Sequence, residues 1–299
     1  MSKGTDVKKR FMRIKLALAV IFLPILLAAQ EKVSVRGKIV DEKGNPVEYV
    51  QVGVPERHIG TISTVDGQFE ISVPIDTLEF FHVSYQTARY PVTGPVDNVV
   101  IIMHDNELPP AVFIGGNTRE KYLVRPGTSV LKNTGTIVAD LHEEGIGGEL
   151  GSIATAKKPF LIQDIQFTIK SNSIPKCVAS INVYRIEGKP ETFVNILHKP
   201  IYFNIDTFSS PRNFNIQPDE SILLEPGKYF ISFQIVAVDE DLMREFQNTP
   251  ESERVKTFGS YFASFPVYLK SSYIRHAAMG KMEHLPVNIG VSVKGLEYQ

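Results

Sequence analysis

Four potential metal ligands fall within five residues, Asp140 and His142-Glu143-Glu144. Imidazole and carboxylate are the donors of zinc and related sites, but so tight a run rarely converges on one centre. Asp239-Glu240-Asp241 offers carboxylates that suit Ca²⁺, yet it lacks the glycine and the distal glutamate of a loop site and reads as solvated charge. Gly145, Gly147, Gly148 and Gly151 do not spell a dinucleotide-binding fingerprint, nor do they open a helix, and they read as turn glycines. The chain has no G-x-S-x-G, no H-E-x-x-H, no phosphate-binding loop and no C-x-x-C pair. These patterns point to no catalytic residue, no metal and no cofactor.

Binding chemistry has better candidates. Leu242, Met243 and Phe246 recur at the spacing of a short amphipathic helix that ends before Pro250. This excursion, from 239 to 256, interrupts the strand rhythm, and long loops on a β scaffold often carry binding. Tyr261, Tyr268 and Tyr273, with Tyr202, are the aromatic rings on which a sugar would stack. Each also lies in a strand pattern that core packing explains equally well, and the chain has no Trp. Cys177 lies on the apolar face of Cys177-x-Ala179-x-Ile181-x-Val183 and reads as a buried small hydrophobe. As the single cysteine it excludes an intramolecular disulfide.

The elements that position these residues are short strands. Val33, Val35 and Ile39 alternate with Ser34, Arg36 and Lys38, and Phe69, Ile71 and Val73 repeat the two-residue period. Strands are expected near 33–41, 47–54, 60–64, 69–73, 78–85, 89–93 and 99–104. Val99 to Met103 is a continuous apolar run, expected to be buried on both faces. Gly44-Asn45-Pro46 marks one turn, and Asp66-Gly67 suggests a two-residue type I′ hairpin.

Gly37, Asp41, Gly44-x-Pro46, Val50/Val52/Val54, Gly60-Thr61, Asp66-Gly67-x-Phe69 and Val83-Ser84-Tyr85 resemble the carboxypeptidase regulatory-like domain of exported Bacteroidetes proteins. Ser84 stands where that family usually has glycine. The resemblance implies a seven-stranded, transthyretin-like sandwich, an appendage that brings no activity with it. Leu108-Pro-Pro-Ala-Val-Phe-Ile-Gly-Gly116 is similar to the segment that joins this domain to the plug and barrel of TonB-dependent receptors. Only about 180 residues follow, too few for a transporter barrel.

Leu161/Ile165/Phe167/Ile169, Tyr229/Ile231/Phe233/Ile235 and Val287/Ile289/Val291/Val293 line further strands, with others near 177–184, 197–205, 213–217, 221–224 and 258–269. They predict a second sandwich, similar to the jelly-roll modules that follow carboxypeptidase-like domains. The organisation is thus all-β: a signal peptide at 1–29, a regulatory-like sandwich at 30–105, a linker at 106–134, and a jelly-roll-like sandwich at 135–299, with room for an edge hairpin within 117–158.

The address comes from the first 29 residues. A basic stretch ending at Lys15 precedes an apolar run from Leu16 to Leu27 and then Ala28-Ala29, the order of a secretory signal. These residues carry six basic groups and one acidic, so the remainder holds 26 basic against 32 acidic, a net of −6. That sign disfavours nucleic acid. No cysteine follows the apolar run, so a lipid anchor is not expected, and no later stretch is long enough to span a membrane. The expectation is an exported, non-enzymatic accessory of the periplasm or outer membrane, with no stable span after processing. Its partner is an envelope protein or a glycan, met through Leu242, Met243, Phe246, Tyr261, Tyr268 and Tyr273. The alternative is a glycan-binding module of a carbohydrate-utilisation system.

Overall fold

The computed structural model describes residues 32–106, 115–126, 136–140 and 146–299. The expected signal at 1–29, the segment around Pro109-Pro110 and the side chains from Asp140 to Glu144 lie outside the described residues. The chain is all-β, with two α-helices among the described residues.

The first seven strands are β1 (Lys32–Asp41), β2 (Gln51–Val54), β3 (Ile59–Ile62), β4 (Gln68–Pro74), β5 (Thr77–Phe81), β6 (Ala88–Pro91) and β7 (Val96–Met103). They form two sheets, β4-β1-β7 and β3-β2-β5-β6, with β1 antiparallel to β4 and parallel to β7. Alternation fills the space between them with Val35, Ile39, Phe69, Ile71, Val73, Val52, Leu78 and Phe80. The Phe69 ring on β4 meets Phe80 on β5 edge-on at 5.3 Å, tying one sheet to the other. After β1 the chain turns on Asp41, whose carboxylate accepts from the backbone N–H of Lys43 and Asn45 at 2.9 and 2.8 Å.

Two expectations fail here. Gly67 does hold a left-handed φ of 73°, but the turn is a type I turn over Thr64–Gly67, closed by Gly67 N–H to Thr64 O at 3.0 Å. Asp66 keeps a negative φ, so this is the three-residue loop ending in a left-handed glycine, and not a type I′ hairpin. The flanking strands explain why: β3 pairs with β2 and β4 with β1, so the loop crosses between sheets. In β7, Ile101 and Met103 are buried, whereas Val100 and Ile102 are 60% and 53% exposed. Its sheet packs one face on the core and leaves the other uncovered, and composition alone cannot distinguish such a strand from a doubly buried one.

The remaining strands are β8 (Thr118–Val124), β9 (Thr136–Asp140), β10 (Glu149–Ala156), β11 (Phe160–Ile169), β12 (Ser171–Asn172), β13 (Cys177–Glu187), β14 (Thr192–Asn195), β15 (Ile201–Ile205), β16 (Arg212–Ile216), β17 (Ile222–Leu224), β18 (Gly227–Ala237), β19 (Phe262–Pro266), β20 (Ser272–Arg275), β21 (Glu283–Leu285) and β22 (Ser292–Tyr298). A large sheet runs β14-β13-β18-β10-β20-β21, with β15 also on β13. Facing it is β16-β11-β22-β8, with β17 on β11, and a small sheet β12-β19-β9 lies alongside. Phe167 on β11 and Phe233 on β18 meet edge-on at 5.9 Å in the shared core. Cys177 is buried there, and burial pushes its thiol up to about 12, so it packs as a hydrophobe.

Strand β8 lies inside the stretch read as a linker and forms the edge next to β22. The apolar alternation from Val287 does not start the last strand, because Gly290 takes a φ of 73° under the Tyr268 ring and regular pairing begins at Ser292. The excursion holds two helices, α1 (Glu240–Asn248) and α2 (Glu251–Phe258). Asp239, read as solvated charge, caps α1 by accepting from the N–H of Asp241 and Leu242. Pro250 ends the first helix and begins the second, where its missing N–H costs nothing.

Candidate functional site

Strands β13 and β18 are buried on both faces. Ala179, Ile181 and Val183 with Ile231, Phe233 and Ile235 point into the core, as the alternation requires. The opposite face carries Ser180, Asn182 and Tyr184 on β13, Ser232 and Gln234 on β18, and Glu149 on β10, all at most 5% exposed. The register places Ser180 opposite Gln234, Asn182 opposite Ser232, and Gln234 opposite Glu149. The result is a polar strip sealed from water.

Most of the strip is hydrogen-bonded to itself. Tyr184 Oη and Ser232 Oγ donate to the two Glu149 oxygens at 2.8 and 2.9 Å, and Arg275 Nη2 on β20 forms an ion pair with the same carboxylate. Arg275 also donates to Tyr184 Oη at 3.0 Å. Burial opposes the Arg275 charge, and the facing Glu149 more than offsets it, so the guanidinium pKa is raised. Burial likewise raises the Tyr184 phenol. Asn182 Nδ2 donates to Gln234 Oε1 at 3.1 Å, and Gln234 Nε2 donates to Gly147 O at 2.9 Å.

The first sandwich covers one end of this strip. Tyr49, Gln51 and the loop from Phe81 to Val83 meet Ser180, Asn182, Tyr202 and Gln234 around a cavity of about 20 Å³. That volume admits a water molecule and excludes a sugar ring or a peptide. His82, 7% exposed, takes the backbone N–H of Ser84 on Nδ1 at 3.2 Å and meets Tyr202 Oη with Nε2 at 3.3 Å. Burial lowers the imidazole to about 4 and raises the Tyr202 phenol. Tyr49 stacks edge-on against Tyr202 at 5.0 Å. Ser84 Oγ donates to His198 O at 3.0 Å, and a Cβ on Gly60 would stand 2.0 Å from Ala278 O, so backbone meets backbone across the junction. Chemically this arrangement joins the two sandwiches through side-chain and backbone contacts.

The residues expected to bind are placed elsewhere and do not form one surface. Leu242 and Phe246 are 7% and 4% exposed and enter the second core, with Met243 partly buried beside them. Their apolar face is inward, as for any helix laid on a sheet. Phe258 links Phe246 at 5.3 Å to Tyr261 at 6.4 Å, so the structure brings these two together through a ring on α2. Tyr268 and Tyr273 are 8% and 7% exposed. Tyr273 packs with Tyr184, Phe230 and Phe193 on the face of the large sheet, and its hydroxyl contacts Glu191, which also holds Lys228. The sequence reading missed His82, Glu149, Arg275 and Gln234. A usable signal existed in the polar residues at every second position of two otherwise apolar strands, which implies a second buried face.

No protein-family model matches the chain. No curated protein matches it either. Among solved structures, a DUF3823 family protein from Bacteroides ovatus ATCC 8483 is similar at 11% identity, over 68% of this chain and 97% of that one, with a TM-score of 0.20. The infectious bursal disease virus Gt strain structure is similar at 8% identity, over 90% of this chain and 64% of that one, with a TM-score of 0.27. Scores of this size do not mark a shared fold.

Proposed function

We propose that this chain is an exported, non-enzymatic accessory protein of the cell envelope, a two-sandwich body that works through macromolecular contact. The observation that carries the reading is the junction. There His82 of the first sandwich and Tyr202 of the second meet each other around a cavity that holds no more than water, while Glu149 and Arg275 pair with each other inside the second sandwich. In this reading residues 30–105 are a carboxypeptidase regulatory-like sandwich, and 135–299 are the partner module, to which β8 at 118–124 adds an edge strand. Seven strands in two sheets between 32 and 103 support that division. The periplasm or the outer membrane is the proposed location. Among the described residues no helix is long and apolar enough to cross a membrane.

The glycan-binding alternative requires exposed rings, and Tyr268 and Tyr273 are buried. The test is fractionation of the native host with intact-mass measurement, followed by incubation of the purified protein with glycans and peptides. Recovery from the envelope fraction, shortened by about three kilodaltons and inert toward both substrate classes, supports the proposal. A full-length mass in the cytosol removes the export half, and hydrolysis of either substrate removes the non-enzymatic half.

A further inference from the structure

The loop from His82 to Tyr85 does more than cover the polar strip. Because His82 Nδ1 accepts the Ser84 N–H, the neutral ring carries its proton on Nε2, which donates to Tyr202 Oη. A second proton would set an Nδ1–H donor against the Ser84 N–H donor. It would also create a cation among neutral groups: the Tyr85 ring of the same loop at 5.3 Å, Gln51 of β2, Tyr202 of β15, and Ser180, Asn182 and Gln234 of β13 and β18. The charged groups nearby give little relief. Glu48 acts on the phenols of Tyr49, Tyr85 and Tyr202, but burial raises its own pKa, so acid discharges it early. Asp41 and Asp105 act on the Tyr85 phenol.

We propose that the His82–Tyr85 loop is an acid-released latch: proton uptake at His82 Nδ1 expels the ring from the junction and frees the two sandwiches from each other. The bond from Ser84 Oγ to His198 O and the contact of Tyr202 with the ring cross the junction and go with it. The released imidazole titrates near its ordinary 6.5 and the latched one near 4. The ratio of latched to released chain therefore falls about 300-fold in all from well above pH 6.5 to well below pH 4, approaching a factor of ten per pH unit between them.

The test uses the full-length chain. Hydrogen–deuterium exchange, corrected for intrinsic rates, is followed from pH 7 to pH 4 together with solution X-ray scattering. His82→Gln serves as the control, since its amide still accepts from Ser84 and donates toward Tyr202 but does not titrate. The wild type should lose protection in residues 82–86 and 201–205 and expand, while β1 and β18 stay protected; H82Q should hold its junction throughout. Full junction protection in the wild type at pH 4, or the same loss in both proteins, overturns the latch. Should H82Q not fold, the imidazole signal of His82 decides: a midpoint well below 6.5 that coincides with the loss of protection supports the proposal, and a midpoint at 6.5 overturns it.

Discussion

Arg275 on β20 holds the Glu149 carboxylate of β10 on a face of the large sheet where the glutamate side chain is fully buried and the arginine is 12% exposed. Removing one partner strands the other's charge away from water. Glu149→Gln or Arg275→Met should therefore cost about 3–5 kcal/mol, whereas a combined replacement by apolar residues of similar volume should cost less than either alone. Urea unfolding of the two single variants and the double checks this. Additive losses would contradict a coupled pair.

Phe246 belongs to the second core through Phe258, so Phe246→Ala should lower stability by about 3–5 kcal/mol. Removing the whole 239–256 excursion should unfold the second sandwich, since Leu242 goes with it. Thermal melts of the truncated and substituted chains report both effects.

At Gly67 two penalties add. A side chain there must take a left-handed φ, and its Cβ would lie 2.4 Å from Ile39 O. Gly67→Val is expected to cost at least about 1–3 kcal/mol from backbone strain alone. An unchanged melting temperature would show that the loop can move away from β1.

The contact of Gly60 with the Ala278 backbone leaves no space for a methyl group. Gly60→Val should push β3 off the second sandwich, drawing Ile62 out of the second core and leaving the rest of each core in place. Calorimetry should then resolve two unfolding transitions in place of a shared one.

Surface alternation on β7 gives the opposite kind of expectation. Val100→Thr and Ile102→Thr remove apolar surface that is already in water, so each should change stability by no more than about 0.5 kcal/mol. A loss of several times that would mean the face is covered in solution.

Much of the fold was legible because period-two alternation is a local signal. Val33/Val35/Ile39 and Phe69/Ile71/Val73 put their strands within a residue or two of β1 and β4. Signals that depend on neighbours far along the chain were not legible. Val100 and Ile102 look like core until one face of the β4-β1-β7 sheet is known to be uncovered, and Leu242 and Phe246 look like a contact surface until the core beneath them is present. The junction escaped for the same reason. Ser84, visible as a departure from the glycine usual in the family it resembles, makes the hydrogen bond to His198 across a separation of 114 residues.

A sheet covered on both sides needs its cover at the moment it forms. The chain is synthesised from its N-terminus, so the strands at 32–103 exist before β13 and β18 do. The first sandwich can therefore serve the second as a preformed wall, shielding Ser180, Asn182 and Gln234 from the mismatched partners that a lone polar strip would otherwise recruit.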